Sequence, residues 1–201
     1  TIPIGIDTDN FYPLDFIKPD PDRLIVTNSA DTPLKGLGYL LSAVKKISAK
    51  RPVYLTVIGE PKKDGMVEQL IKKLDLTALV RFTGRISHEQ FVKEYARAAI
   101  AVVPSMYEGF GLPVGEAMAC RKPVICTTGG ALPEVAGDAA VLVPPGDARA
   151  LETAILELLE NPGEQERLAD KGFNRVMTQF TWMRTAERTA ACYERSIRDY
   201  H

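Results

Sequence analysis

Along the chain, short β-branched runs alternate with stretches in which apolar residues recur three and four positions apart. The runs at 23–29 (RLIVTNS), 53–59 (VYLTVIG), 79–84, 100–105 (IAVVPS), 123–128 (PVICTT) and 140–143 have the length and composition of buried strands. Between the first two, Leu37, Leu40, Leu41, Val44 and Ile47 fall at helical spacing. Val67, Leu70, Ile71 and Leu74 do the same, and residues 89–98 and 112–120 read as further helices. Asp147 is an N-cap ahead of the stripe Leu151, Ile155, Leu158 and Leu159, which stops at Asn161 and Pro162. Two helical segments, about 164–179 and 182–200, close the chain, with Thr181 as the cap between them.

Apolar strands separated by helices specify an α/β protein, with a sheet of about six parallel strands covered by helices on both faces and joined by right-handed crossovers. Ligands of such sheets bind beyond the carboxyl ends of the strands. Functional residues are therefore expected just after Ser29, Gly59, Gly84, Ser105 and Thr128. Residues 1–22 hold Pro3, Pro13, Pro19 and Pro21 with many Asp and no sustained period, and read as an extended linker. The expected organisation is a linker over 1–22, an α/β domain over 23–179 and a closing helix over 180–201. A start at Thr1 rather than Met reads as the interior of a longer polypeptide.

The stretch 105–116 (SMYEGFGLPVGE) follows the fourth strand and opens a helix. Gly109 and Gly111 permit positive φ and close approach of backbone to a ligand, and Pro113 suits a first helical turn. Free amides at that helix start form an anion site for a phosphate. The spacings of a P-loop and of a dinucleotide fingerprint are both absent. Glu108 and Glu116 flank the amides. A carboxylate repels a diphosphate but accepts hydrogen bonds from a vicinal diol. Phosphate-binding amides between two hydroxyl acceptors describe a site for a nucleoside diphosphate sugar. On these residues alone the plainer alternative stays open: a solvated Glu108, and a Glu116 that only favours the helix N-terminus.

Glu108 and Glu116, eight apart around Gly-Phe-Gly-Leu-Pro, resemble the E-x7-E motif of family 4 glycosyltransferases. Four further segments resemble that family in order: 2–7 its interdomain lead-in, Lys35-Gly36 its phosphate lysine, 128–134 its next loop, and 180–182 the start of its closing helices. The resemblance implies a GT-B fold, two Rossmann-like domains with the active site between them, of which this chain would be the C-terminal, donor-binding half, a Rossmann-like three-layer sandwich. It implies a retaining, metal-independent enzyme with no cofactor besides its nucleoside diphosphate sugar donor. Glu116 would hold the ribose hydroxyls and Glu108 those of the transferred sugar. Backbone around Gly109, Phe110, Gly111 and Leu112 would approach sugar and phosphate, and Lys35 would stabilise the diphosphate leaving group. The acceptor would be bound by an absent N-terminal domain, so the isolated fragment is expected to be inactive.

In one place the chain departs from the family pattern. Pro33 matches, but the family's arginine five residues before the lysine is replaced by Ala30, with Asp31 beside it. Arg85, Ser29 or the N-terminal domain are the candidate replacements. Ala30 also supports an alternative class, a non-catalytic nucleotide-sugar-binding module; half of a sugar-nucleotide epimerase is a third reading. Tyr107 and Phe110 could stack on the donor or pack the loop. His88 is expected to begin a surface helix, and Arg121-Lys122 to form a solvated turn.

Composition narrows the classes further. Lys and Arg number 25 against 26 Asp and Glu, a net charge of −1, which argues against a nucleic-acid-binding surface. No apolar run approaches the roughly 20 residues of a membrane span. His88 and His201 alone, with no cysteine pair at ligand spacing, leave no visible zinc site. Cys120, Cys126 and Cys192 are expected as buried thiols of a cytoplasmic protein, with any inner-membrane contact made through the absent domain.

Overall fold

In the computed structural model, which describes residues 2–27 and 32–200, six strands form one parallel sheet. They are β1 (Asp20–Thr27), β2 (Tyr54–Ile58), β3 (Val80–Phe82), β4 (Ala98–Val103), β5 (Val124–Thr127) and β6 (Val141–Val143), in the order β3-β2-β1-β4-β5-β6. Leu24 of β1 is in register with Leu55 of β2 on one side and with Ile100 of β4 on the other. Every expected strand is present, with ends displaced by up to three residues; β1 begins at Asp20 rather than at residue 23.

Helices cover both faces: α1 (Leu37–Ser48), α2 (Met66–Lys73), α3 (His88–Arg97), α4 (Leu112–Ala119), α5 (Leu132–Ala136), α6 (Ala148–Leu159), α7 (Pro162–Gln179) and α8 (Trp182–Tyr200). The period-2 alternation of the strands sorts the core into two layers. Leu24, Val26, Leu55, Val57, Ile100 and Val102 pack under α1, α2 and α6. Ile25, Ala101, Val103, Val124 and Cys126 pack under α3, α4, α5 and α7. Local chemistry sets the helix starts. Ser87 and Gln90 form a reciprocal capping box on α3, Asp147 accepts from the amides of Arg149 and Ala150, and Asn161 accepts from Glu164 ahead of Pro162.

Residues 2–19 contain no helix, yet they dock on the domain. Ile6 is buried, its amide donates to the Phe180 carbonyl at 2.6 Å, and Phe11 packs edge-on against Phe91 and Tyr95. A side chain on Gly115 of α4 would meet Ile6 at 2.4 Å, so that glycine is what lets the segment lie against the helix. Lys122 is not solvated as expected: it is buried, and its ammonium donates to the carbonyls of Ala96 and Ala98 at the end of α3. Cys120 and Cys126 are buried free thiols, whereas Cys192 is exposed, because α8 runs out along the surface with Trp182, Met183, Tyr193 and Ile197 uncovered. No described helix is long and apolar enough to cross a membrane.

Candidate functional site

The strand order reverses between β1 and β4, and a cleft of about 1140 Å³ opens at the carboxyl ends of the strands there. Lys35, Arg85, Glu108, Phe110, Gly111, Leu112 and Glu116 all line it. Gly109 lies in the same loop without lining the cleft, and Ser29, like Ala30 and Asp31, lies outside the described residues.

Lys35 lies just ahead of α1. It ends a single 3-10 turn (Pro33–Lys35), and Gly36 turns the chain into α1 with φ 68°. A Cβ on Gly36 would sit 1.9 Å from the Pro104 carbonyl oxygen, so only glycine lets the two loops touch. The Met106 amide donates to the Leu34 carbonyl at 2.8 Å across the same seam. This brings the Lys35 ammonium to 2.7 Å from Glu108 Oε1, which also accepts from the Ser105 hydroxyl at 2.8 Å. The carbonyl of Glu108 accepts from the Ala131 amide at 2.9 Å, and Gly130 leaves no side chain where one would collide with that carbonyl. Thr127 Oγ1 donates to the Ser105 carbonyl from below. The loops after β1, β4 and β5 are thus joined into one unit around the Glu108 carboxylate, whose side chain is 13% exposed.

Gly111 uses the positive φ expected of it (101°) and caps α4, whereas Gly109 does not. Among the described residues the amides of Gly111 and Leu112 have no protein acceptor, which leaves them free for an anion. The Phe110 ring borders the cleft but packs edge-on against Phe180, 6.1 Å between centroids, and Tyr107 is exposed outside the lining. His88 begins α3 as expected and also borders the cleft. Two charged residues of the loop after β2, Glu60 and Lys62, line the cleft although no motif marks them. The strand-end rule points to Gly59, but which later residue turns inward depends on a loop path that periodicity does not encode.

Glu116 stands one turn into α4, and burial pushes its carboxyl up to about 7. Because the folded value lies above the ordinary carboxylate value, the folded chain holds a proton that the unfolded chain has released. Stability is therefore expected to fall between about pH 4.5 and pH 7, by an amount on the order of 3 kcal/mol. Urea denaturation at pH 5 and pH 8 should show this loss in the native chain and a much smaller one in Glu116→Gln. A pH dependence identical in the two would place the titration elsewhere.

A family model described as "Glycosyl transferases group 1" matches residues 13–175. The chain belongs to the group 1 glycosyl transferases. An α-(1→4)-mannosyltransferase from Mycolicibacterium hassiacum is 38% identical to this group 1 chain over 199 residues, covering 98% of it and 48% of the mannosyltransferase. A solved sucrose-phosphate synthase from Thermosynechococcus elongatus superposes with a TM-score of 0.85 at 31% identity, over 98% of this chain and 52% of that one. The crystal structure of a C-terminal domain of a group 1 family protein from Francisella tularensis is covered completely, with 89% of this chain, at 28% identity and a TM-score of 0.75. The chain thus spans about half the length of the curated relative it matches and corresponds to the C-terminal, Rossmann-like domain of a group 1 enzyme. Among the described residues, no three of His, Cys, Asp and Glu gather as a metal site.

Proposed function

We propose that the chain is the donor-binding half of a retaining, metal-independent glycosyltransferase that takes a nucleoside diphosphate sugar. The observation that carries this reading is the meeting of the Lys35 ammonium, the Glu108 and Glu116 carboxylates and the free amides of the α4 start in one cleft. The amides and Lys35 supply positive potential for the diphosphate, and the lysine stabilises negative charge as it grows on the leaving group. Glu116 accepts from the ribose diol, and Glu108 from hydroxyls of the transferred sugar. Lys35 is paired with Glu108, and donor binding replaces that contact with two complementary ones: ammonium to phosphate and carboxylate to sugar hydroxyl. Mannosyl transfer by a relative supports a hexose as the transferred group.

The acceptor is assigned to a second domain of the same polypeptide, in keeping with the half-length coverage of the relatives. The unpaired cysteines support a cytoplasmic setting. Calorimetry with UDP-, GDP- and ADP-sugars tests the reading. Lys35→Ala is expected to weaken every diphosphate donor about ten- to a hundredfold, the worth of one charge-assisted hydrogen bond, while leaving the free nucleoside unchanged. Uniform weakening of both would remove the phosphate role of Lys35. The alanine at position 30 favours a second reading, a binding module without catalysis. Release of nucleoside diphosphate by the full-length enzyme, with Lys35→Ala as control, decides between the two.

A further inference from the structure

The cleft contains a third carboxylate for which the reading above has no use. Glu60 follows Gly59 beyond the end of β2 and lines the cleft with Glu108 and Glu116. In a site for a diphosphate a further negative charge opposes binding unless it takes up N–H or O–H donors of the ligand. Position decides which donors are in reach. In the sheet, β2 lies on the far side of β1 from β4, two strand spacings away, so the loop carrying Glu60 stands about 10 Å from the loop carrying Glu108. With sugar hydroxyls at Glu108 and the ribose at Glu116, the part of the donor left to face the β2 and β3 loops is the base.

The carboxylate is held rather than free-swinging. Its Oε1 accepts from the Arg85 amide at 3.3 Å. Beside it the two loops are tied by the Gly84 amide donating to the Gly59 carbonyl at 3.0 Å. Gly84 takes a positive φ of 67°, and a Cβ there would come into ordinary contact with Oε1 at 3.4 Å, so this carboxylate oxygen lies directly over the β3 loop. Lys62 and Arg85 line the same cleft, yet Glu60 forms no ion pair among the described residues, and its second oxygen has no protein partner among them.

Resting on the donor-site reading, we propose that Glu60 reads the base and selects guanine. Guanine alone presents two adjacent donors on one edge, the ring N1–H and the exocyclic amino group, and these match the two oxygens of a carboxylate. Uracil offers a single imide N–H between two carbonyls that a carboxylate repels. Adenine and cytosine pair their amino group with a ring acceptor, which is equally mismatched.

The test is calorimetric titration of the 201-residue chain with GDP, IDP and UDP, in the native form and as Glu60→Ala. IDP differs from GDP only by lacking the exocyclic amino group, so the GDP-to-IDP ratio reports the contact itself. The native chain is expected to bind GDP about tenfold or more tightly than IDP or UDP, as loss of one hydrogen bond to a charged group requires. In Glu60→Ala, GDP and IDP should bind within about twofold of each other. Glu60 is an exposed loop residue, and circular dichroism verifies that the variant is folded. A GDP-to-IDP ratio unchanged by the substitution, or a native preference for UDP, overturns the assignment and leaves the donor-site reading intact. Failure of the folded native chain to bind any of the three overturns both.

Discussion

Replacing Glu116 by alanine is expected to take nucleotide-sugar binding below calorimetric detection while leaving the chain folded. A carboxylate that accepts both hydroxyls of a ribose diol makes two charge-assisted hydrogen bonds, each worth about 1.5–3 kcal/mol. Losing both weakens the complex by roughly two to four orders of magnitude. The loss is specific to the ligand, because the side chain removed is a half-buried acid whose ionised form the fold disfavours. The same burial gives the interaction a pH signature. A protonated carboxyl is a poorer acceptor, so affinity should rise as pH passes about 7, with a proton released on binding below that value. Glu116→Gln should flatten the pH profile. Equal affinity of the native chain and Glu116→Ala would remove this residue from the site.

The second large effect is on stability. Gly36→Ala is expected to cost roughly 2–5 kcal/mol, the sum of a left-handed backbone penalty and a collision in a packed seam. The new methyl would be driven into the Pro104 carbonyl oxygen at 1.9 Å, and backbone has no alternative rotamer to adopt. Gly109→Ala is the matched control: nothing lies within 4 Å of its Cβ position and its φ is not positive, so its cost should stay within about 1 kcal/mol. Urea denaturation of the two variants measures the contrast. A Gly36→Ala chain as stable as Gly109→Ala would show that the seam between the β1 and β4 loops is loose.

That contrast marks where periodicity could and could not inform. The strands were legible because each apolar run is bounded by glycine, proline or charge, and α1 and α6 because their stripes run for three turns. By contrast α5 passed unnoticed: five residues, with Leu132, Val135 and Ala136 buried, are too few to display a helical period. Residues 2–19 show no period at all, yet Ile6 and Phe11 are core residues, because an irregular strand of chain can bury isolated side chains without repeating. At the site, Lys35, Glu108 and Glu116 were legible through a resemblance that preserves their spacing. Their ion pair was not, since it joins positions 73 residues apart through a glycine contact. Glu60 and Lys62 were hidden for a local reason: the strand-end rule marks the loop after Gly59, but the path of that loop, which no period encodes, decides which of its side chains line the cleft.

The glycine joints around Glu108 divide the cleft into halves of unequal freedom. Gly36, Gly129 and Gly130 each abut a backbone oxygen of the β4 end or its loop, so any side chain added there disturbs the neighbouring loop as well. The β2 and β3 loops meet through hydrogen bonds alone, from the Gly84 amide to the Gly59 carbonyl, from the Arg85 amide to Glu60 and from the Gly59 amide to the Thr83 hydroxyl, and they carry exposed side chains at Glu60, Lys62 and Arg85. On the donor-site reading, side chains of the far loops can be exchanged to suit a different activating nucleotide without touching these contacts, whereas a bulkier residue at any of the three glycines would push on backbone next to Glu108.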